Sequence, residues 1–261
     1  RPFLANWGAM DRRVDHPAQP VPRTLLALIE APGHVCFRYR LEAFAGPLAA
    51  AGWKLDELVL RRSTLPDWTE LGRIAAADAV VLQRWLYPAW RLALLRRAAS
   101  CLVFDLDDAI FYRDSNHRRG AQSLRRMGRF RATVRAADAV LAGNAFLAEQ
   151  AAAVDGPGKV HDLPTCVDPT LYPTAAHRRA PGQLKLAWIG SRSTAISLLE
   201  AQAGLRRAAQ RVPGLVFRLV CDWFPDLGPD IAVEHCLWNA ACEASDLAEA
   251  DAGVSWLPDH P

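Results

Sequence analysis

The sequence predicts an α/β protein with two parallel β-sheets, the second of them incomplete. Apolar runs of strand length alternate with helix-like segments along most of the 261 residues. Such runs suit strands buried on both faces, as in parallel sheets with helical crossovers. The alternation stops at a stretch containing three prolines, 163–173, and starts again at Leu184. This restart favours a hinge between two units, while an ordinary strand-to-helix loop within one domain remains an alternative.

Six strands and four helices are predicted before the hinge. The run 24–29 is entirely apolar apart from Thr24, and the segment 38–51 places Leu41, Phe44 and Leu48 on one helical face. Asn144 is a suitable N-cap for the helix that follows it. The predicted strands are 24–30, 55–60, 79–83, 101–105, 139–142 and 159–163, and the predicted helices are 38–51, 88–98, 122–136 and 145–153.

The same alternation after the hinge predicts a second, partial unit. Strands are expected at 184–189, 215–220, 231–235 and 253–257, and helices at 195–211 and 243–250. Because the sequence stops directly after a strand-like segment, we expect the chain to be a fragment. The predicted organisation is a disordered leader (1–23), an N-terminal domain (24–163), a hinge (164–183) and a partial C-terminal domain (184–261).

Composition indicates an ordinary globular protein. Hydrophobic residues make up 51% of the chain and charged residues 23%, with a net charge of +3. No apolar run reaches membrane-spanning length, and no secretory signal peptide opens the sequence. The six cysteines form no C-x-x-C pair, so we expect reduced, cytosolic thiols and neither disulfides nor a zinc site.

The turn after the strand at 184–189 is a candidate anion site. Gly190 would allow the backbone to approach a phosphate, and helix N-terminal N–H groups favour anions. Ser191 lies beside Arg192, whose guanidinium could hold an oxyanion, and the hydroxyls of Ser193 and Thr194 could add hydrogen bonds. The alternative is a capped turn with an exposed arginine.

Three carboxylates follow the fourth strand, at Asp105, Asp107 and Asp108. They repel one another unless a metal ion, nearby arginines or a shared proton offsets the repulsion. A solvated loop is the alternative interpretation. The segment also resembles the first motif of haloacid-dehalogenase-type phosphatases, in which Asp105 would be the nucleophile and Asp107 the acid/base, with magnesium.

Two further stretches are rich in groups that could bind anions. In the loop after the first strand, Gly33 permits close approach, Arg38 and Arg40 could hold an anionic group, and His34 is either structural or catalytic. An arginine-rich stretch could meet nucleic acid or anionic lipid, or form a solvated helix face. That stretch contains Arg113, Arg118, Arg119, Arg125, Arg126, Arg129, Arg131 and Arg135.

Taken in order, these segments resemble B-type-fold glycosyltransferases of the retaining "glycosyl transferases group 1" (family 4-like) class. The segments that carry the resemblance are F-D-L-D-D at 104–108, L-P-T-C-V-D at 163–168, L-A-W-I-G-S at 186–191 and A-D-A-G-V-S-W-L-P at 250–258. The resemblance implies two Rossmann-like domains that face each other across a cleft. The family's strongest donor signature would follow residue 261, so we expect less than full activity from this chain.

The resemblance also implies a reaction and a set of roles. A sugar would pass from a nucleotide-diphosphate sugar to a glycan, lipid-linked or similar acceptor, with anomeric configuration retained and without an obligatory cofactor or metal. Gly190, Ser191 and Arg192 would lie on the donor side, and Gly33, His34 and Arg38 on the acceptor side. From their position, Asp107 and Asp108 are the candidate catalytic residues.

The implied location is cytoplasmic, at the inner face of a membrane. Peripheral membrane contact would run through the Arg113–Arg135 region, and no nucleic-acid partner is expected. The alternatives to a transferase are the phosphatase that uses Asp105 and a non-catalytic α/β binding protein.

Overall fold

The computed structural model describes residues 22–59, 67–113, 118–172 and 181–256. The chain divides into two compact units. The first unit comprises Arg1–Arg113 and Gln122–Cys166, and the second comprises Asp114–Ala121 and Val167–Pro261. Each unit contains one parallel sheet, which confirms the predicted α/β class.

The first unit holds a six-stranded sheet in the order β2-β1-β3-β4-β5-β6. All neighbouring strands pair in parallel, so their carboxyl ends share one edge of the sheet. The strands are β1 (Arg23–Ile29), β2 (Trp53–Val59), β3 (Ala79–Gln83), β4 (Leu102–Leu106), β5 (Ala139–Ala142) and β6 (Val160–Asp162).

The strand order reverses between β1 and β3, and this reversal places a crevice at the carboxyl ends of those two strands. In open α/β sheets, ligands bind at such switch points. The helices between β2 and β6 lie on one face, because each right-handed crossover steps in the same direction along the sheet. The helices of this unit are α1 (Val35–Arg40), α2 (Ala45–Ala50), α3 (Trp68–Ala76), α4 (Ala89–Ala98), α5 (Leu124–Ala136) and α6 (Ala145–Asp155).

The predicted helix 38–51 is wrong, because the structure divides it. Helix α1 ends at Arg40, a short 3-10 turn follows at Glu42–Phe44, and α2 begins at Ala45. Pro47 explains the division, since it lies in the first turn of α2, where no intrahelical N–H is needed. In one long helix its ring would clash with the preceding turn.

Helix α3 was missed in the sequence, although it has a recognisable start. Asp67 accepts a hydrogen bond from the Glu70 backbone at 2.8 Å, and the Glu70 carboxylate accepts one from Asp67 N at 3.0 Å. These two bonds form a capping box. The pattern D-x-x-E at these positions was therefore an available signal.

The second unit holds a four-stranded parallel sheet in the order β10-β7-β8-β9. The predicted helix 195–211 is replaced by a four-residue helix and a longer one, and the predicted strand 253–257 shortens to two residues. Its elements are β7 (Leu184–Ile189), α7 (Arg192–Ala195), α8 (Leu198–Arg211), β8 (Leu215–Cys221), β9 (Val233–Leu237), α9 (Glu243–Ala248) and β10 (Ala252–Gly253).

A buried arginine ties this second sheet to its last helix. Arg218, in the middle of β8, donates to Glu234 on β9 at 2.8 Å and to Asp246 on α9 at 3.0 Å. Glu249 accepts a further hydrogen bond from the same guanidinium. A buried cation requires such partners because it has lost its water, so we assign Arg218 a structural role.

Candidate active site

A buried ion pair organises the carboxyl edge of the first sheet. Arg40, the last residue of α1, donates from Nε to both oxygens of Asp105 at 2.9 and 3.0 Å, and from Nη2 to Oδ1 at 2.6 Å. Gln83, at the end of β3, donates to the remaining side of the carboxylate at 3.1 Å. The pair therefore joins α1, β3 and β4.

Arg40 also fixes the chain that leaves β6. Its Nη1 donates to the carbonyl of Leu163 at 2.8 Å and to Thr165 Oγ1 at 3.3 Å. Gly143 gives this guanidinium room, since a Cβ there would lie 3.3 Å from Arg40 Nη1 and 3.0 Å from the Asp107 Cα. Arg40 is thus a structural clamp, and it does not bind an anionic ligand as the sequence suggested.

The environment of Asp105 argues against a nucleophilic role. Its side chain is 0% exposed, and both oxygens are occupied by Arg40 and Gln83. Burial raises the pKa of Asp105, although the hydrogen bond and charge of Arg40 oppose that rise. A phosphoryl group could not reach this carboxylate without dismantling the ion pair, so the geometry disfavours the phosphatase alternative.

Arg84, which the sequence analysis did not single out, connects the other two carboxylates. It follows β3 directly and has φ +56°, making it the one non-glycine residue with a positive φ in the described part of the chain. Its Nη2 donates to Asp108 Oδ2 at 3.1 Å, and its Nε lies 3.3 Å from Asp107 Oδ1. Left-handed backbone in an arginine costs about 1–2 kcal/mol, and such strain concentrates at functional sites.

A thiol completes this arrangement. Arg84 also contacts the buried Sγ of Cys36 in α1. Burial and, second, the charge of Asp107 raise the pKa of Cys36 to about 12. Burial disfavours the charged form of Arg84, but Asp107 and Cys36 outweigh it and raise the pKa of this guanidinium. Cys36 is therefore a neutral thiol at physiological pH, unsuited to nucleophilic attack.

The two candidate catalytic carboxylates differ in exposure. The Asp107 side chain is 13% exposed, and its Oδ1 is buried without a hydrogen bond. The Asp108 side chain is 66% exposed, and its Oδ1 accepts a hydrogen bond from Ala109 N at 2.8 Å. Asp108 is thus the carboxylate that a ligand can reach, and Arg84 orients it.

The predicted acceptor-side residues lie at the switch point, after β1. Gly33 is exposed and has φ +65°, which explains a glycine in this turn. The His34 Nδ1 accepts from Cys36 N at 3.3 Å and so caps α1. The half-buried Arg38 lies over the ring of its neighbour Tyr39, with its Cζ 4.8 Å from the ring centroid. His34 thus caps α1, and its assignment to the acceptor side stays a prediction.

In the second unit, Gly190 is required by close packing. A Cβ there would lie 2.5 Å from Trp188 Cη2 and 2.6 Å from Thr194 Oγ1. The backbone N–H groups predicted to face an anion are used internally instead. Ser191 N donates to Thr194 Oγ1 at 3.1 Å, and Arg192 N donates to Asp222 Oδ1 at 2.9 Å.

The side chain of Arg192 is exposed at this edge. Its Cζ lies 5.4 Å from the ring centroid of Trp223, which follows the carboxyl end of β8. A guanidinium held against an indole is pre-oriented and keeps its charge. Arg192 and Trp223 together therefore form the candidate ligand-facing pair of the second sheet.

Within the described residues, no group of three or more His, Cys, Asp or Glu side chains is arranged to hold a metal ion. No helix in the described ranges is long and apolar enough to cross a membrane. All six cysteines lie in described segments and are free thiols. Most of the arginine-rich stretch forms α5, while positions 114–117 lie outside the described residues.

Solved glycosyltransferase structures resemble the chain. An α-glucosyltransferase in complex with UDP and a 13-mer DNA containing a central A:G mismatch matches with a TM-score of 0.55 at 9% identity, over 90% of this chain and 71% of that one. An α-glucosyltransferase in complex with UDP-glucose and DNA containing an abasic site matches with a TM-score of 0.52 at 10% identity, over 88% of this chain and 71% of that one. The glycotransferase of kitacinnamycin matches with a TM-score of 0.48 at 14% identity, over 90% of this chain and 75% of that one. This TM-score is too low to support an argument.

No protein-family model matches the chain, and no curated protein matches it. At identities near 10% the structural likeness establishes the fold and leaves the activity open. The chain therefore has the two-unit α/β fold of B-type glycosyltransferases, as the sequence predicted.

Proposed function

We propose that the chain belongs to a glycosyltransferase that moves a sugar from a nucleotide-diphosphate sugar to a glycan or lipid-linked acceptor, with anomeric configuration retained. The observation that carries the proposal is the fold, which matches a UDP-containing α-glucosyltransferase structure over 90% of the chain. Fold alone does not determine activity, so the proposal also rests on the two strand-end clusters described above. Hexosyl transfer, the group 1 class and a cytoplasmic location remain predictions.

On the donor side, Arg192 would stabilise the leaving diphosphate. Its guanidinium can form two parallel hydrogen bonds to phosphate oxygens. Negative charge builds up on the diphosphate as the glycosidic bond breaks, so this contact strengthens towards the transition state and accelerates transfer. The backbone N–H of Arg192 already donates to Asp222, so the contact with the phosphates would come from the Arg192 side chain.

On the acceptor side, Asp108 would accept a hydrogen bond from the hydroxyl that receives the sugar. Arg84 donates to this carboxylate at 3.1 Å and would orient it towards the hydroxyl, which favours a positioning role. Gly33 and Arg38 would lie along the same edge, at the switch point. Asp107 would support Arg84 from the buried side.

The structure supports a transferase better than the phosphatase, because Asp105 is inaccessible. A non-catalytic binding protein with the same fold remains the second candidate. Nucleotide binding without turnover would favour that candidate over the transferase.

A binding experiment on the purified chain tests the donor site without requiring full activity. We expect UDP or another nucleoside diphosphate from a panel to bind, and Arg192→Ala to weaken that binding by at least about tenfold, since a charge-assisted bond is lost. Arg192→Lys should recover part of the affinity, because lysine keeps the charge but not the bidentate fork.

Arg207→Ala is the matched control, because Arg207 is an exposed arginine on α8 of the same unit. Its affinity should equal that of the unmodified chain. Equal affinity in Arg192→Ala would place the donor elsewhere, and no binding across the panel would overturn the proposal. In a chain that turns over, Arg192→Ala should lower kcat roughly a hundredfold.

A further inference from the structure

The helix layer of the first unit exposes large apolar side chains at one end. Trp68, Trp90, Leu124 and Phe146 lie in the first turns of α3, α4, α5 and α6. Leu124 is 95% exposed and Trp68 is 90% exposed, while Trp90 and Phe146 are about half exposed. Isolated exposed apolar residues are common, but a row of them across four neighbouring helices needs an explanation.

The topology places these four side chains along one edge. Each helix begins after the carboxyl end of its preceding strand, so all four first turns lie at the carboxyl edge of the sheet. Helix α3 packs on α4, α4 on α5, and α5 on α6. With neighbouring helices about 8–10 Å apart, the row extends roughly 25–30 Å. We call these four residues the apolar rim.

A basic surface lies behind the middle of the rim, on α4 and α5, whereas Glu70 and Glu149 follow Trp68 and Phe146 on the outer helices α3 and α6. Helices α4 and α5 contain eight arginines and no acidic residue. Some of these arginines are used within the fold: Arg96 pairs with Asp138, and Arg129 donates to the Leu86 carbonyl. The exposed members are Arg97, Arg125, Arg131 and Arg135.

The apolar and basic groups are ordered along each helix. On α5 the exposed positions Leu124, Gly128, Arg131 and Arg135 form one stripe, apolar at the start and basic at the end. On α4 the stripe runs from Trp90 through Leu94 to Arg97 in the same sense. Seven residues of helix correspond to about 10 Å, so Arg97 and Arg131 lie about that far behind the rim, while the exposed Arg125 lies beside Leu124.

We infer that this face docks on an anionic lipid bilayer, with the apolar rim inserted and the arginines at the level of the phosphates. Monotopic segments bury apolar groups about 5–10 Å into the headgroup boundary, which matches the distance of Arg97 and Arg131 from the rim. Tryptophan favours the bilayer interface, and each arginine near an anionic leaflet adds attraction. The rim shares its edge with Asp108 and Arg84.

Lipid fits this face better than nucleic acid does. Arginines serve both partners, and Trp68, Trp90 and Phe146 could also stack on the bases of single-stranded nucleic acid. Leu124 and Leu94 cannot stack on bases, and they gain free energy only by leaving water. This inference does not depend on the transferase proposal, since it concerns binding alone.

Vesicle flotation of the purified chain tests the inference. The chain should float with vesicles of phosphatidylcholine containing a third phosphatidylglycerol, and stay behind with phosphatidylcholine alone. High salt should release it, because salt screens the arginines. Arg131→Gln/Arg135→Gln should lower the partition coefficient about thirtyfold, and Trp90→Ser/Leu124→Ser at least about tenfold.

Matched variants on α8 supply the controls. Arg207→Gln/Arg211→Gln makes the same charge change on exposed positions, and Leu199→Ser removes an exposed leucine. Both control variants should float like the unmodified chain. Equal losses in the rim and control variants, equal binding to neutral vesicles, or binding to a DNA oligonucleotide but not to anionic vesicles would each overturn the inference.

Discussion

The buried ion pair between Arg40 and Asp105 predicts an asymmetric response to mutation. Arg40→Met keeps an apolar stem of similar length but leaves the Asp105 carboxylate without its three close contacts, at 2.6 to 3.0 Å. The Asp105 carboxylate then keeps its hydrogen bond from Gln83. The carbonyl of Leu163 also loses its donor. We therefore expect the single substitution to destabilise the first unit strongly.

The size of the effect follows from desolvation. Removing one partner of a buried pair costs about 3–5 kcal/mol, because the other charge stays buried without compensation. For a unit of this size, each kcal/mol lowers Tm by about 2–4 °C, so we expect a fall of roughly 6–20 °C. Replacing both residues, in Arg40→Met/Asp105→Leu, should recover most of this loss, since neither charge then remains.

The pH dependence supplies a second signature. Burial raises the pKa of Asp105 and Arg40 opposes that rise, so the Arg40→Met variant should have a still higher value. A carboxyl with a raised folded-state pKa favours folding when protonated, and its stabilisation is lost as pH rises. The Tm deficit of the single variant should therefore shrink as the pH falls towards the ordinary pKa of a carboxyl group.

The assay is thermal unfolding combined with hydrogen exchange on β4 peptides, which assigns the transition to the first unit. The comparison includes the unmodified chain, both single variants and the double variant. The reasoning would be refuted by an Arg40→Met variant that melts within about 1 °C of the unmodified chain, or by a double variant less stable than both singles.

Two more predictions concern a thiol and a glycine. Cys36, with its pKa raised to about 12, should resist iodoacetamide at pH 8 while the exposed Cys166 reacts. Because the unfolded chain releases this thiol proton more readily, the first unit should lose stability as the pH rises above about 9. Rapid labelling of Cys36, measured by mass spectrometry, would contradict the buried site. Gly190→Ala should destabilise the second unit by about 1–3 kcal/mol, because its Cβ would meet the buried Trp188. Gly204→Ala within α8 should stabilise the same unit by up to about 1 kcal/mol. Thermal melts in which both variants shift Tm in the same direction would refute the packing argument.

Several features of the site could be predicted from local sequence. The carboxylates after β4 and the Gly190 turn both follow apolar runs, and the carboxyl ends of parallel strands share an edge. The repulsion among the three carboxylates predicted that a metal ion, nearby arginines or a shared proton would offset it, and the structure supplies arginines. The sequence did not predict which arginines would pair with these carboxylates. Arg38 and Arg40 are equally placed in the sequence and differ only in the face of α1 that each occupies.

Arg84 shows a different limit. No pattern in the sequence distinguishes it from the other arginines of the chain, and its left-handed backbone is visible only in the structure. The same applies to Asp107 and Asp108, which are adjacent but differ in exposure because Arg84 and Cys36 cover one of them. Neighbouring residues of the same type thus acquire different chemistry through distant partners.

The sequence by itself determined the α/β class, both parallel sheets and most strand positions, because buried strands require apolar runs whatever their partners. Tertiary structure alone decided the inaccessibility of Asp105 and the clamp formed by Arg40. Arg40 and Asp105 are 65 positions apart, and they meet because the order β1-β3-β4 places α1 over the end of β4. Burial then makes the pair strong, since a charge removed from water must find its partner within the fold.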